Sequence, residues 1–157
     1  MSINLPAIFV ALLTILLLVA AWTDVRRRTI ANELNLVIAI LAIGWWWVCG
    51  EALWPDVAIR IAIAVAVFIV FAGLFAFGMM GGGDVKMIAA IALWLPFPLL
   101  MAMLTVMAIA GGVITLLVLI VHRWRRSEGR PEVPYGVAIA IGALWVSANG
   151  LLTLTAA

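Results

Sequence analysis

Charge is scarce in this chain. Nine lysines and arginines and seven acids are spread over 157 residues, with one histidine, one tyrosine and one cysteine. A lone Cys49 excludes an internal disulfide and any multi-cysteine metal site. Its place in an apolar run reads as a small buried hydrophobe. The net charge of +2 is too small to argue for nucleic acid as a partner. No basic residue precedes the first apolar run and three arginines follow it, the reverse of a secretory signal.

What fills the chain instead is apolar. The hydrophobic share is 68% and the mean hydropathy +1.32, more than a soluble domain of this length can bury. Six apolar segments can be marked, at about 5–22, 34–49, 57–77, 85–95, 99–121 and 135–154. They are continuous rather than alternating, and backbone groups in lipid must be paired within the segment, so helices are expected. The fourth segment is short of the ~20 residues a span needs. It stops at Pro96-Phe97-Pro98, which requires the prolines to lie at the interface or the helix to border a water-filled cavity. The expected architecture is an all-α polytopic bundle of about six transmembrane helices, one domain over residues 1–157.

Arg26, Arg27 and Arg28 follow the first segment, Lys86 the third, and Arg123, Arg125, Arg126 and Arg130 the fifth. With six alternating spans, eight of the nine basic residues share one side, leaving Arg60 on the other. The basic side is read as cytoplasmic, with both termini outside. Trp45, Trp46, Trp47, Trp54 and Trp94 then mark the outer ends, and Trp22 and Trp124 the inner ends. An aromatic belt at the membrane interfaces explains them; Trp145, mid-segment, reads as packing. The run from His122 to Arg126 reads as an anchor to anionic lipid, not a metal site.

Against this background two acids stand out. Asp24 ends the first apolar segment, and Asp84 opens the fourth within Gly81-Gly82-Gly83-Asp84-Val85-Lys86. An acid at a membrane junction is costly. In the expected topology both lie at the cytoplasmic ends of their helices, at one depth. Facing each other, they can share a proton, one carboxylate activating water while the other polarises a peptide carbonyl, without a metal or other cofactor. Taken singly, each acid has a structural explanation: Asp24 in an ion pair with Arg27 or Arg28, Asp84 as the N-cap of a helix starting at Val85. Gly81, Gly82 and Gly83 read either as a flexible turn or as an unwound stretch where an extended substrate peptide lies beside Asp84. Lys86 reads equally as a neighbouring charge or as a marker of the inner interface.

The residues Thr23-Asp24-Val25-Arg26 and Ile30-Ala31-Asn32, the block from Gly81 to Lys86, and Val133-Pro134-Tyr135-Gly136-Val137-Ala138 follow one another in an order that resembles the type IV prepilin peptidases. These are membrane aspartyl proteases of the GxGD type, and the likeness is to their short form from tight-adherence pilus systems. The resemblance covers essentially the whole chain. It implies that Asp24 and Asp84 are the catalytic pair, with Gly81, Gly82, Gly83 and Lys86 at the substrate. It implies as partner a type IV prepilin-like (Flp-type) precursor, with a basic leader and a hydrophobic helix, cut just before that helix on the cytoplasmic side of a bacterial inner membrane. Two departures stand. The family's usual Ile-Pro-Asn is Ile30-Ala31-Asn32 here. The insertion with a cysteine tetrad for zinc, carried by long members that also N-methylate their product, is absent, so zinc is not expected and methyl transfer has no support.

Two other classes compete with a peptidase. A small ion-coupled carrier also uses acids and broken helices, but its sites lie near the bilayer midplane. A non-catalytic assembly subunit would keep the fold and lose an aspartate. The sequence sets no oligomeric state.

Overall fold

The computed structural model describes residues 4–125 and 133–151. Arg126, Arg130 and the end of the sixth apolar segment lie outside the described residues. Within them the protein is a bundle of six α-helices, with no strand. They are α1 (Leu5–Arg27), α2 (Asn32–Val48), α3 (Ala58–Ala76), α4 (Gly82–Ala92), α5 (Phe97–Trp124) and α6 (Tyr135–Val146). Three stretches, Leu5–Arg27, Leu53–Ala76 and Phe97–Trp124, are long and apolar enough to cross a membrane. At 1.5 Å per residue the 23 residues of α1 reach about 34 Å, against a hydrocarbon core of about 30 Å.

Local sequence explains most helix ends. The Asn4 side chain accepts from the Ala7 N–H at 3.1 Å, with Pro6 in the first turn of α1, where its missing N–H costs nothing. Arg28 ends α1 in the left-handed region, φ 54°, and its N–H donates to the Asp24 carbonyl at 2.9 Å. The chain then turns through the buried Ile30 into α2. Pro96 and Pro98 flank the start of α5, where proline is tolerated.

The buried residues of α1 are Val10, Leu13, Leu17, Ala20 and Asp24. Their alternating spacing of three and four draws a single stripe down the helix. Asp24 is thus the last residue of the core stripe. In α2 the stripe runs through Asn35, Ile38, Ala42 and Trp45, so Asn35 occupies its end nearest the turn from α1.

The shortest of these helices is the most deeply set. Of the 11 residues of α4, seven are buried: Asp84, Val85, Met87, Ile88, Ala90, Ile91 and Ala92. It packs against α2, α3 and α6, while α1 packs on α6 and α2. At about 16 Å it is too short to span, and it is suspended between polar contacts at both ends. At one end Arg60 donates to the Trp94 carbonyl at 2.7 Å and pairs with Glu51. There too the Trp46 indole N–H donates to the Leu93 carbonyl at 2.9 Å, and that of Trp94 to the Ile38 carbonyl at 3.0 Å. The bonds to the Leu93 and Trp94 carbonyls satisfy groups that the C-terminus of α4 leaves open, while the bond to Ile38 ties that end to the middle of α2.

This arrangement corrects the reading of the tryptophans. Trp94, Trp45 and Trp46 are core, with Trp94 and Trp45 ring centroids 5.7 Å apart. Trp47, Trp54, Trp22 and Trp124 are exposed, as a belt requires, and the Arg26 guanidinium lies over the Trp22 ring. Trp145 is half-exposed rather than packed inside, and Cys49 is exposed at the end of α2 rather than buried.

Candidate active site

Asp24 and Asp84 come from different helices and line one cavity of about 600 Å³. They are among the few buried polar side chains, 5% and 8% exposed. Arg27, Arg28, Thr29, Met80, Gly81, Val133 and Tyr135 complete most of the wall. The two acids are close enough for Asp84 to feel the charge of Asp24. Each presents a buried oxygen, Oδ2 of Asp24 and Oδ1 of Asp84, that has no hydrogen-bond partner.

Each carboxylate is held at a helix N-terminus, where free N–H groups and the macrodipole favour negative charge. Asp84 is the third residue of α4, and its Oδ2 accepts from the Gly81 N–H at 3.3 Å. It is therefore not the N-cap of a helix starting at Val85: α4 begins at Gly82, and Gly81, extended at φ −74°, ψ 145°, is the cap. Asp24 faces the backbone N–H groups of Gly136 and Val137 in the first turn of α6 and feels the Arg28 charge. Among the described residues Asp24 makes no salt bridge to Arg27 or Arg28. The ion pair that would have accounted for Asp24 is thus absent, while Asp84 keeps a local role, its Oδ2 capping the Gly81 N–H from the third position of α4.

The glycines divide. Gly81 lies on the cavity wall. Gly82 and Gly83 are helical, not unwound, and serve close packing. A Cβ on Gly83 would lie 3.0 Å from the Ile30 carbonyl oxygen, and one on Gly82 would lie 3.4 Å from the Phe75 ring. The Gly83 carbonyl accepts from the Asn35 amide at 3.0 Å, fixing the turn that precedes Asp84. Lys86 is on the other side of α4, donating to Asn32 Oδ1 at 2.8 Å, and is not on the cavity wall. The Asp24–Asp84 cavity therefore brings together Asp24, Asp84 and Gly81 of the residues singled out from sequence.

Four residues have a place at the site that sequence reasoning did not give them. Asn35 is one polar residue on an otherwise apolar stripe, a signal that was present. Arg27 and Arg28 were read for topology and pairing, yet they line the cavity. Gly136 stood in the Val133–Ala138 block of the resemblance without a role: a Cβ there would lie 2.9 Å from Asp24 Oδ2 and 2.8 Å from Ile30 Cδ1. Only a glycine lets the start of α6 come this close to the carboxylate. Among the described residues no group of three or more His, Cys, Asp or Glu side chains is placed to hold a metal ion.

Comparison with known families matches the chain to the type IV leader peptidase family over residues 11–116. The chain belongs to the type IV leader peptidase family. The matched stretch includes both aspartates, most of α1, all of α2 to α4 and most of α5. Comparisons with curated proteins and with solved structures give no match. The Asp24–Asp84 cavity places two buried carboxylates in an otherwise apolar bundle. As a member of this family the protein is a membrane peptidase whose substrates are in general pilin precursors.

Proposed function

We propose that the protein is an aspartyl endopeptidase that removes the leader from type IV prepilin-like, Flp-type precursors through an Asp24–Asp84 dyad. The observation that carries this reading is the pair of buried carboxylates that line one cavity, each with a buried oxygen that has no hydrogen-bond partner. Two like charges so placed favour a shared proton. The ionised carboxylate takes a proton from water as the water oxygen attacks the scissile carbonyl carbon, and the protonated one gives its proton to the carbonyl oxygen. Collapse of the tetrahedral intermediate passes a proton to the departing amine. The peptide runs past Gly81. Gly82, Gly83 and Lys86 act behind it, by shaping the turn and tying α4 to Asn32. The dyad lies on the cytoplasmic side of a bacterial inner membrane, both termini are outside, and residues 1–157 form one domain.

The test is cleavage of a prepilin-like precursor by wild type, Asp24→Asn and Asp84→Asn, each shown to be inserted. Both substitutions remove one partner of the proton exchange, so each should lower the rate by about 10³-fold or more. Cleavage persisting in either variant removes that aspartate from the mechanism.

A further inference from the structure

A second cavity opens beside the first. It has a volume of about 510 Å³ and lies between α3, α5 and α6, walled by residues that include Phe71, Leu74, Met107, Gly112 and Leu119. It shares Met80 and Tyr135 with the cavity that holds the aspartates. The groove exists because α5 leans on α6 and has no other extensive helix contact, so α3 and α5 stand apart.

Its depth and lining match one kind of occupant. Along α5 the lining runs from Met107 to Leu119, about 18 Å at helical rise. Met80 and Tyr135 place one end at the level of the dyad. The floor on α5 carries Ala108, Gly111, Gly112 and Thr115, small residues at helical spacing that let a second backbone approach closely in lipid. Gly111 is already used: a Cβ there would lie 3.6 Å from Ala138 Cβ. Gly112 is not, since nothing lies within 4 Å of a Cβ placed on it.

Resting on the peptidase reading above, we infer that this groove seats the hydrophobic helix of the precursor. About the first twelve residues after the cut lie along α5, and the bond before that helix is delivered past Met80 and Tyr135 to the two aspartates. A helix entering between α3 and α5 comes directly from the bilayer, so the substrate need not leave the membrane to be cut.

The experiment uses the full-length protein in lipid vesicles with a membrane-anchored precursor, a basic leader followed by one apolar helix. Gly112→Leu fills the groove without touching the protein's own packing, and should lower cleavage at least tenfold. Ile109→Trp, on an exposed face of the same helix, should leave it unchanged. In an Asp84→Asn background with Cys49 replaced, Gly112→Cys should form a disulfide with a cysteine within the first dozen residues of the precursor helix, and Ile109→Cys should not. Wild-type cleavage combined with an unimpaired Gly112→Leu, or with equal cross-linking from Ile109→Cys, overturns the groove assignment while leaving the peptidase intact. Absence of cleavage by wild type refutes the peptidase reading, and the groove assignment falls with it.

Discussion

Gly136→Ala tests whether the position of Asp24 against α6, and not merely its presence, is what the chemistry uses. The added Cβ would lie 2.9 Å from Asp24 Oδ2 and 3.0 Å from Cγ, where ordinary contact begins near 3.4 Å, so the carboxylate must retreat by about 0.5 Å. The third neighbour, Ile30 Cδ1 at 2.8 Å, is the end of a flexible side chain and can rotate away. A displacement of about 1 Å in a reacting group can cost 10²-fold, so half of that predicts about a tenfold loss in kcat, or about 1.4 kcal/mol of transition-state stabilisation. Stability moves less. Replacing glycine by alanine in a helix gains up to about 1 kcal/mol, and overpacking costs about 1–3 kcal/mol, so the net change stays within about 2 kcal/mol. The assay is steady-state cleavage in vesicles beside thermal unfolding in detergent. Gly73→Ala, in α3 with nothing within 4 Å of its Cβ, serves as control. The reasoning is refuted by a Gly136→Ala enzyme with wild-type kcat, or by activity lost only in proportion to folded protein.

The remaining predictions separate holding the bundle from placing the dyad. Gly142→Ala should be far more damaging to the fold, because its Cβ would lie 2.7 Å from the Met103 carbonyl oxygen and 3.1 Å from the Met107 nitrogen, backbone atoms of α5 that cannot swing aside. A loss of about 3 kcal/mol or more is expected, read as a lowered melting temperature. Asn35→Ala removes the bond to the Gly83 carbonyl and should cost about 1 kcal/mol of stability. It should also lower kcat severalfold by loosening the turn before Asp84; unchanged kcat would show that α4 needs no such anchor. Arg60→Ala leaves Glu51 and the Trp94 carbonyl without their partner and should destabilise by about 3 kcal/mol. It acts at the end of α4 remote from the aspartates, so kcat per folded molecule should not change.

How much of this was legible in sequence depends on which contrast each feature rests on. Helices, their approximate ends and the two acids rest on the contrast of polar with apolar, which a membrane chain displays sharply. Asp24 and Asn35 could even be placed on buried stripes by counting threes and fours. The partition between lipid and core rests on no such contrast, because lipid tails are as apolar as leucine. Trp46 and Trp47 are adjacent and identical in type, yet one is buried with its indole N–H on Leu93 and the other is fully at the surface. The same blindness hid the central place of α4, whose shortness and flanking prolines signalled only that it was an unusual span. The glycines misled for a different reason. Glycine permits both an unwound strand and the close approach of a helix, and only the neighbours decide: Ile30 against Gly83, Phe75 against Gly82, Asp24 against Gly136. All three are distant in sequence or across a loop, and two of them build the dyad's surroundings. A site made of two acids and several close approaches is therefore half readable. The acids announce themselves by their cost in lipid, while the glycines that position them are visible only once the helices have packed.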